Sequence, residues 1–196
     1  MNIIELLKQQ HQEAKNLLEQ IVEGDDKREQ KALLGQVGQA LRLHMQIEEK
    51  MVYPAAGRAF QGEEDKQKVL EAFEEHAVAR RTLETLERTP VTDKRFVVRA
   101  KVLKDLIEHH VEEEEGEMFP DMQKEMGGDA LDKLGMQVER RMPQLEREAA
   151  ATKRPARATA ARRGGGGRRA RPAARASKTS RAGTRAGSSR RTRRAG

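Results

Sequence analysis

The sequence predicts an all-α fold: an antiparallel up-down four-helix bundle, followed by a short extra C-terminal helix and a disordered basic tail. Three observations carry this expectation. Leu, Glu, Lys, Ala and Met abound while aromatic residues make up only 3% of the chain, a composition that favours helices over strands. Apolar positions recur at alternating steps of three and four, the seam of packed helices. The breaks between these periodic segments are short, and short connections make neighbouring helices antiparallel.

The elements follow in order. The first seam runs Ile4, Leu7, His11, Ala14, Leu18, Ile21 and stops at Gly24-Asp25-Asp26. The second runs Leu34, Val37, Leu41, His44, Glu48, Met51, and Pro54 with Gly57 and Gly62 reads as its end. The third runs Val69, Ala72, His76, Ala79, Leu83, Leu86 and stops at Arg88-Thr89-Pro90. Thr92 or Asp93 can then cap a fourth, Phe96, Ala100, Leu103, Ile107, His110, Glu114, Met118, which Gly116 and Pro120 weaken near its end. After Gly127-Gly128, Asp129 can cap the extra helix, expected to reach about residue 148. The expected organisation is a bundle over 1–125, the added helix and linker over 126–151, and the tail over 152–196.

Charge divides the chain at the same place. From Thr152 onward there are 2 Lys and 14 Arg without a single Asp or Glu. The rest holds 23 Lys and Arg against 32 Asp and Glu, a net charge of −9. The tail is Arg, Ala, Gly, Ser, Thr and Pro with no large apolar side chain, so it cannot offset its ordering entropy and is expected to be disordered. Such a tail binds phosphate backbones through charge alone, which makes non-specific nucleic acid the expected partner of residues 152–196. The absence of cysteine excludes disulfides, zinc knuckles, iron–sulfur clusters and thiol chemistry. Neither a secretory signal nor an apolar run of membrane length is visible, so a cytosolic protein without a membrane partner is expected.

Chemistry enters where charged residues interrupt the seams. His44 to Pro54 and His110 to Pro120 share the pattern H-x3-E-E-x3-[FY]-P. A histidine and a glutamate four apart lie on one helix face and can point at one spot. His11 and His76 repeat in the same way, since Leu18, Glu19 and Ile21 match Leu83, Glu84 and Leu86 in offset. Two similar hairpins related by a pseudo-twofold would set two half-sites face to face.

Six ionisable side chains thus occupy knob positions: His11, His44, Glu48, His76, His110 and Glu114. One uncompensated buried carboxylate costs several kcal/mol, against a net stability of about 5–15 kcal/mol for a domain of this size. Cations compensate such a set, with imidazoles as end-on ligands and carboxylates able to bridge. Imidazole with carboxylate and no thiolate suits Fe, Mn or Zn, and carboxylate-bridged pairs in bundles are typically iron or manganese. The Glu-x-x-His motif of ferritin-like bundles is absent, because Lys8, Leu41, Phe73, Leu106 and Ile107 precede the five histidines by three. His-Glu-x-x-His is absent too, which argues against a zinc metalloprotease.

The order H…HxxxE…H…HxxxE resembles the hemerythrin-like, HHE cation-binding domain family over roughly residues 1–125. The resemblance implies a non-haem di-iron centre, with two iron ions favoured over Mn or Zn. In that family's terms His11, His44, His76 and His110 are terminal ligands, and Glu48 and Glu114 bridge. Two departures from the oxygen-carrying members stand out. They have a His-x3-His pair on the third helix, where Ala72 and Arg80 flank His76 here, and a carboxylate five past the last histidine, where Glu114 is four past His110. One imidazole fewer leaves metal positions open, which favours reaction or sensing over reversible carriage. The expected function is therefore binding, sensing or reducing a small oxidant: O2, peroxide or nitric oxide. Metal sequestration without turnover and a tail-driven nucleic-acid role are the alternatives, and enzyme activity stays open. Glu49 and Glu115 follow the bridging positions and can hydrogen-bond ligand imidazoles. Tyr53 can reach the edge of the site. His109 points about 100° away from its neighbour His110 and is read as a surface residue or a support to the ligands.

Overall fold

The computed structural model describes residues 1–152, and the basic tail lies outside the described residues. All regular structure among them is helical. Helix α1 spans Ile3–Glu23 and α2 Lys27–Ile47; a π-helical turn, Glu48–Val52, leads into α3, Tyr53–Ala59. Helix α4 spans Glu63–Glu87 and α5 Arg95–Glu113; a second π-helical turn, Glu114–Met118, leads into α6, Phe119–Met126, before α7, Gly128–Thr152.

Local chemistry explains the boundaries. Asn2 caps α1 by accepting from the Ile4 amide, and Asp26 caps α2 by accepting from Arg28 and Glu29. Asp93 accepts from the Arg95 amide at 2.9 Å at the start of α5. Gly127, at φ 76°, takes the left-handed conformation that releases the chain from α6 into α7.

The expected stop at Pro54 is not a stop, and Pro120, expected to weaken the fourth helix, does not break it. Pro54 and Pro120 sit inside continuous helical runs, each directly after a π-helical turn. There the Tyr53 and Phe119 amides reach back five residues, to the Glu48 and Glu114 carbonyls. The widened ladder leaves room for a residue without an N–H, so neither proline breaks its helix. Gly57 likewise lies within α3 rather than ending a helix.

Cross-helix pairs set the topology. His11 meets His44 while Ile21 meets Gln30, so α1 and α2 are antiparallel. Arg42 pairs with Glu87 and His76 with Glu49, and Thr89 pairs with Arg99 while Glu75 pairs with His110. Lys104 pairs with Glu19 while Glu115 pairs with His11. The bundle is therefore up-down-up-down, with α1 and α4 parallel. Every seam residue predicted to face inward is buried.

The extra helix is not short. Helix α7 runs 25 residues and buries Leu131, Leu134, Val138, Leu145 and Ala149 against α1 and α2. Those residues form a three-four seam of their own, which carries the helix past Pro143. Gly135 gives the N-terminus its seat, since a Cβ there would lie 2.1 Å from the Met1 carbonyl oxygen.

Two apolar clusters fill the bundle. One includes Leu7, Met51, Ala72, Met118 and Phe119, the other Ala14, Leu41, Ala79, Leu103 and Ile107. Along each seam the histidines and glutamates fall between the two. The polar layer is thus sandwiched between hydrophobic layers.

Candidate metal centre

The structure brings all six interrupting residues into that layer, at 0–6% exposure. Each hairpin supplies a histidine pair: His11 and His44 approach at 3.2 Å between Nε2 atoms, His76 and His110 at 3.1 Å. The carboxylates span the two pairs. Glu48 Oε2 lies 3.0 Å from His44 Nε2 and 3.2 Å from His76 Nε2. Glu114 Oε2 lies 3.2 Å from His11 Nε2 and 3.5 Å from His110 Nε2. One potential ligand atom each from His11, His44, Glu48 and Glu114 falls within 4.8 Å of the others, and Glu48, His76 and His110 form a second such group.

The outer nitrogens explain how the inner ones are aimed. Nδ1 of His11 meets Glu115 Oε1 at 2.8 Å and that of His76 meets Glu49 Oε1 at 2.9 Å. Nδ1 of His110 meets Glu75 Oε2 at 2.7 Å and that of His44 meets Gln10 Oε1 at 3.0 Å. Each of these oxygens accepts, so the proton sits on Nδ1 and, in the neutral imidazole, the Nε2 lone pair points inward. Burial raises the Glu49 carboxyl, but hydrogen bonds from His76 and Arg80 bring it below its ordinary value. The His110 hydrogen bond lowers Glu75 in the same direction. Glu49 is further held by Arg80 at 2.5 Å.

Glu49 and Glu115 therefore each hydrogen-bond one of the buried imidazoles. Gln10 and Glu75 were not foreseen. The signal was present: each immediately precedes the first histidine of its hairpin and takes the imidazole of the second. A polar residue beside a histidine otherwise looks like solvated helix surface. Tyr53 does reach the site, donating from Oη to Glu114 Oε1 at 2.7 Å and lying 3.2 Å from His76 Nε2. Burial first, then the charges of Glu48 and Glu114, raises its phenol well above its ordinary value, so it keeps its proton. Phe119, its counterpart in the second repeat, stacks on His11 at 5.8 Å. His109 faces outward, with its side chain 61% exposed, towards Glu75 and Glu113.

The donor set fits cations and little else. Among the described residues, Glu48 Oε1 and Oε2 and Glu114 Oε2 find no hydrogen bond of sound geometry despite full burial. Lone pairs of four imidazoles and two carboxylates converge there, an arrangement that repels itself unless positive charge sits between them. Protons are the substitute when no metal is bound. Burial depresses His11, but the Glu114 and Glu48 carboxylates that face it overcome this and lift the imidazole to about 10. Burial likewise opposes, and Glu48 and Glu49 then raise, His76 to about 9. Burial lowers His44. It would raise Glu48, yet the imidazoles, His44 foremost, hold that carboxyl well below its ordinary range.

Residues 2–122 match the model of the hemerythrin HHE cation binding domain. The chain belongs to this family. Its fold is shared with the crystal structure of a hemerythrin HHE cation binding domain-containing protein from Mycobacterium kansasii, at TM-score 0.65 and 27% identity, covering 78% of this chain and 91% of that one. A protein of Nostoc sp. named DNA nickase is 29% identical over 119 residues, 61% of this chain. The match spans only 33% of that relative's length. Among the described residues no helix is long and apolar enough to cross a membrane.

Proposed function

We propose that this chain is a non-haem di-iron protein that binds, senses or reduces a small oxidant such as O2, peroxide or nitric oxide. The observation that supports this most is the buried layer of inward-aimed Nε2 atoms and unpartnered carboxylate oxygens, shared between two histidine pairs. His11 with His44 would hold one ion, His76 with His110 the other, and Glu48 and Glu114 both. Iron bound there supplies redox equivalents and coordination positions for a small ligand.

The chain's own residues do the rest. Glu115, Gln10, Glu49 and Glu75 fix the tautomers and orientations of the imidazoles. Tyr53 Oη keeps its proton and donates it in a hydrogen bond to Glu114 Oε1, at the edge of the His76–His110 pair. The apolar layers above and below exclude bulk water. Four imidazoles for two ions leave positions for an external ligand, which supports reaction or sensing over carriage.

Metal content and an optical spectrum, recorded before and after hydrogen peroxide, test the reading. About two irons per chain are expected, with an iron absorption that peroxide alters and consumption continuing over many equivalents. Under about one metal per chain without such absorption rejects it. Consumption that stops at stoichiometry leaves metal sequestration as the function. For the tail we infer non-specific nucleic-acid binding, supported by 16 positive charges without an acidic residue beyond Ala151. Salt-dependent DNA binding by the full chain, lost on truncation after Ala151, is its test.

A further inference from the structure

The buried layer is closed above and below by hydrocarbon, which a hydrated divalent ion does not cross. A polar cleft reaches one of its carboxylates. A cavity of about 60 Å³ lies between α4 and the π-helical turn after α5, lined by Glu71, Glu75, Glu113 and Glu117 together with Lys68 and Glu114. Glu114, 1% exposed and one of the two carboxylates of the buried layer, belongs to its lining. Lys68 neutralises only part of this wall: its ammonium pairs with Glu117 and, outside the wall, with Asp121, at 3.1 Å each, which leaves Glu71, Glu75 and Glu113 in excess.

At the rim stands a second constellation. His109 Nε2 lies 3.4 Å from Glu113 Oε1 and 3.7 Å from Glu75 Oε1, and one ligand atom from each falls within 4.8 Å of the others. Glu75 faces both ways. Its Oε2 accepts from His110 Nδ1 at 2.7 Å while Oε1 turns towards His109. A surface His with a Glu one turn away is common and binds nothing by itself. What sets this one apart is that Glu75 and Glu113 also line an acidic cleft that reaches Glu114, a carboxylate of the buried layer.

We propose that Glu75, His109 and Glu113 form a peripheral cation site that captures a divalent ion from solution and passes it along the acidic wall to Glu114. The proposal rests on the buried layer being a metal centre. One imidazole and two carboxylates suit Fe2+, Mn2+ or Zn2+. The exposure of His109 and Glu113, at 61% and 49%, leaves the ion mostly hydrated, so it is held weakly and released easily. A cleft lined by one sign of charge raises the local cation concentration and the entry rate, by about 10-fold to 1,000-fold in favourable cases.

The test uses full-length protein and Mn2+ as probe. Iron-loaded protein is titrated with Mn2+ and followed by electron paramagnetic resonance, and anaerobic Fe2+ uptake by the metal-stripped protein is timed. The wild type should bind about one Mn2+ per chain beyond its buried complement. The double variant His109→Ala/Glu113→Gln should lose that ion and load Fe2+ at least about tenfold more slowly, while reaching the same final iron content. Both substitutions are at the surface and leave the six buried groups untouched. A wild type that takes no further Mn2+, or a variant that binds Mn2+ and loads like the wild type, overturns the proposal. A chain that holds iron in neither form defeats the buried centre instead, and the Mn2+ difference between wild type and variant still decides the peripheral site.

Discussion

At the scale of single residues, the imidazoles are aimed by what their Nδ1 atoms touch. Glu75→Gln replaces the acceptor of His110 with an amide of similar shape but no charge. Metal affinity should fall by about 10-fold to 100-fold with circular dichroism unchanged; equilibrium competition against a chelator measures it. The same residues give the protein opposite pH responses with and without metal. In the metal-free chain His11 and His76 are raised to about 10 and 9, so they bind protons in the folded state that the unfolded chain releases above about 6.5. Their contribution to stability is complete below about pH 6.5 and is lost as pH rises through 9 to 10. Thermal melts of stripped protein should therefore fall across that window. With metal bound, protons compete for the same nitrogens, and affinity should instead fall as pH drops. All six core groups were legible in the sequence because charge at a knob position stands out against an apolar seam. Gln10 and Glu75 were not, because a polar residue one step round the helix is indistinguishable from one facing water. His109 was read as a surface residue or a support to the ligands; it is exposed, and its neighbours Glu75 and Glu113 come from two different helices.

At the scale of elements, the seams were readable wherever the period held. The seam holds even through the two π-helical turns, at Met51 and Met118, but one extra residue widens the ladder there, so that Pro54 passes for a stop. Those turns lie directly at Glu48 and Glu114 and carry Tyr53 and Phe119 into the layer, so the departure from α-helix and the candidate centre coincide. The expected end of α7, near residue 148, already lay beyond Pro143, and packing against α1 and α2 carries the helix a few residues further, to Thr152. Two glycines separate helix propensity from packing. Gly35, inside α2, would place a Cβ in open space, so Gly35→Ala should stabilise by about 0.5–1 kcal/mol. Gly135→Ala should destabilise, because its Cβ would collide with the Met1 carbonyl and displace the N-terminus from α7. Urea denaturation of both variants checks the pair.

At the scale of the whole molecule, an acidic helical domain carries a layer of charge where hydrophobic contact would otherwise be continuous. The fold tolerates that layer through what occupies it. Cations that bind the native state and not the unfolded chain add stability by mass action, so stripping with a chelator should lower the melting temperature and restoring iron should recover it. The central claim is narrower: Glu48 and Glu114 are shared by two ions. Metal per chain in wild type and in Glu48→Gln/Glu114→Gln, by mass spectrometry with circular dichroism alongside, tests it most directly. The account predicts about two ions per chain in the first and almost none in a still-helical second. A variant that keeps the wild-type metal content would contradict it.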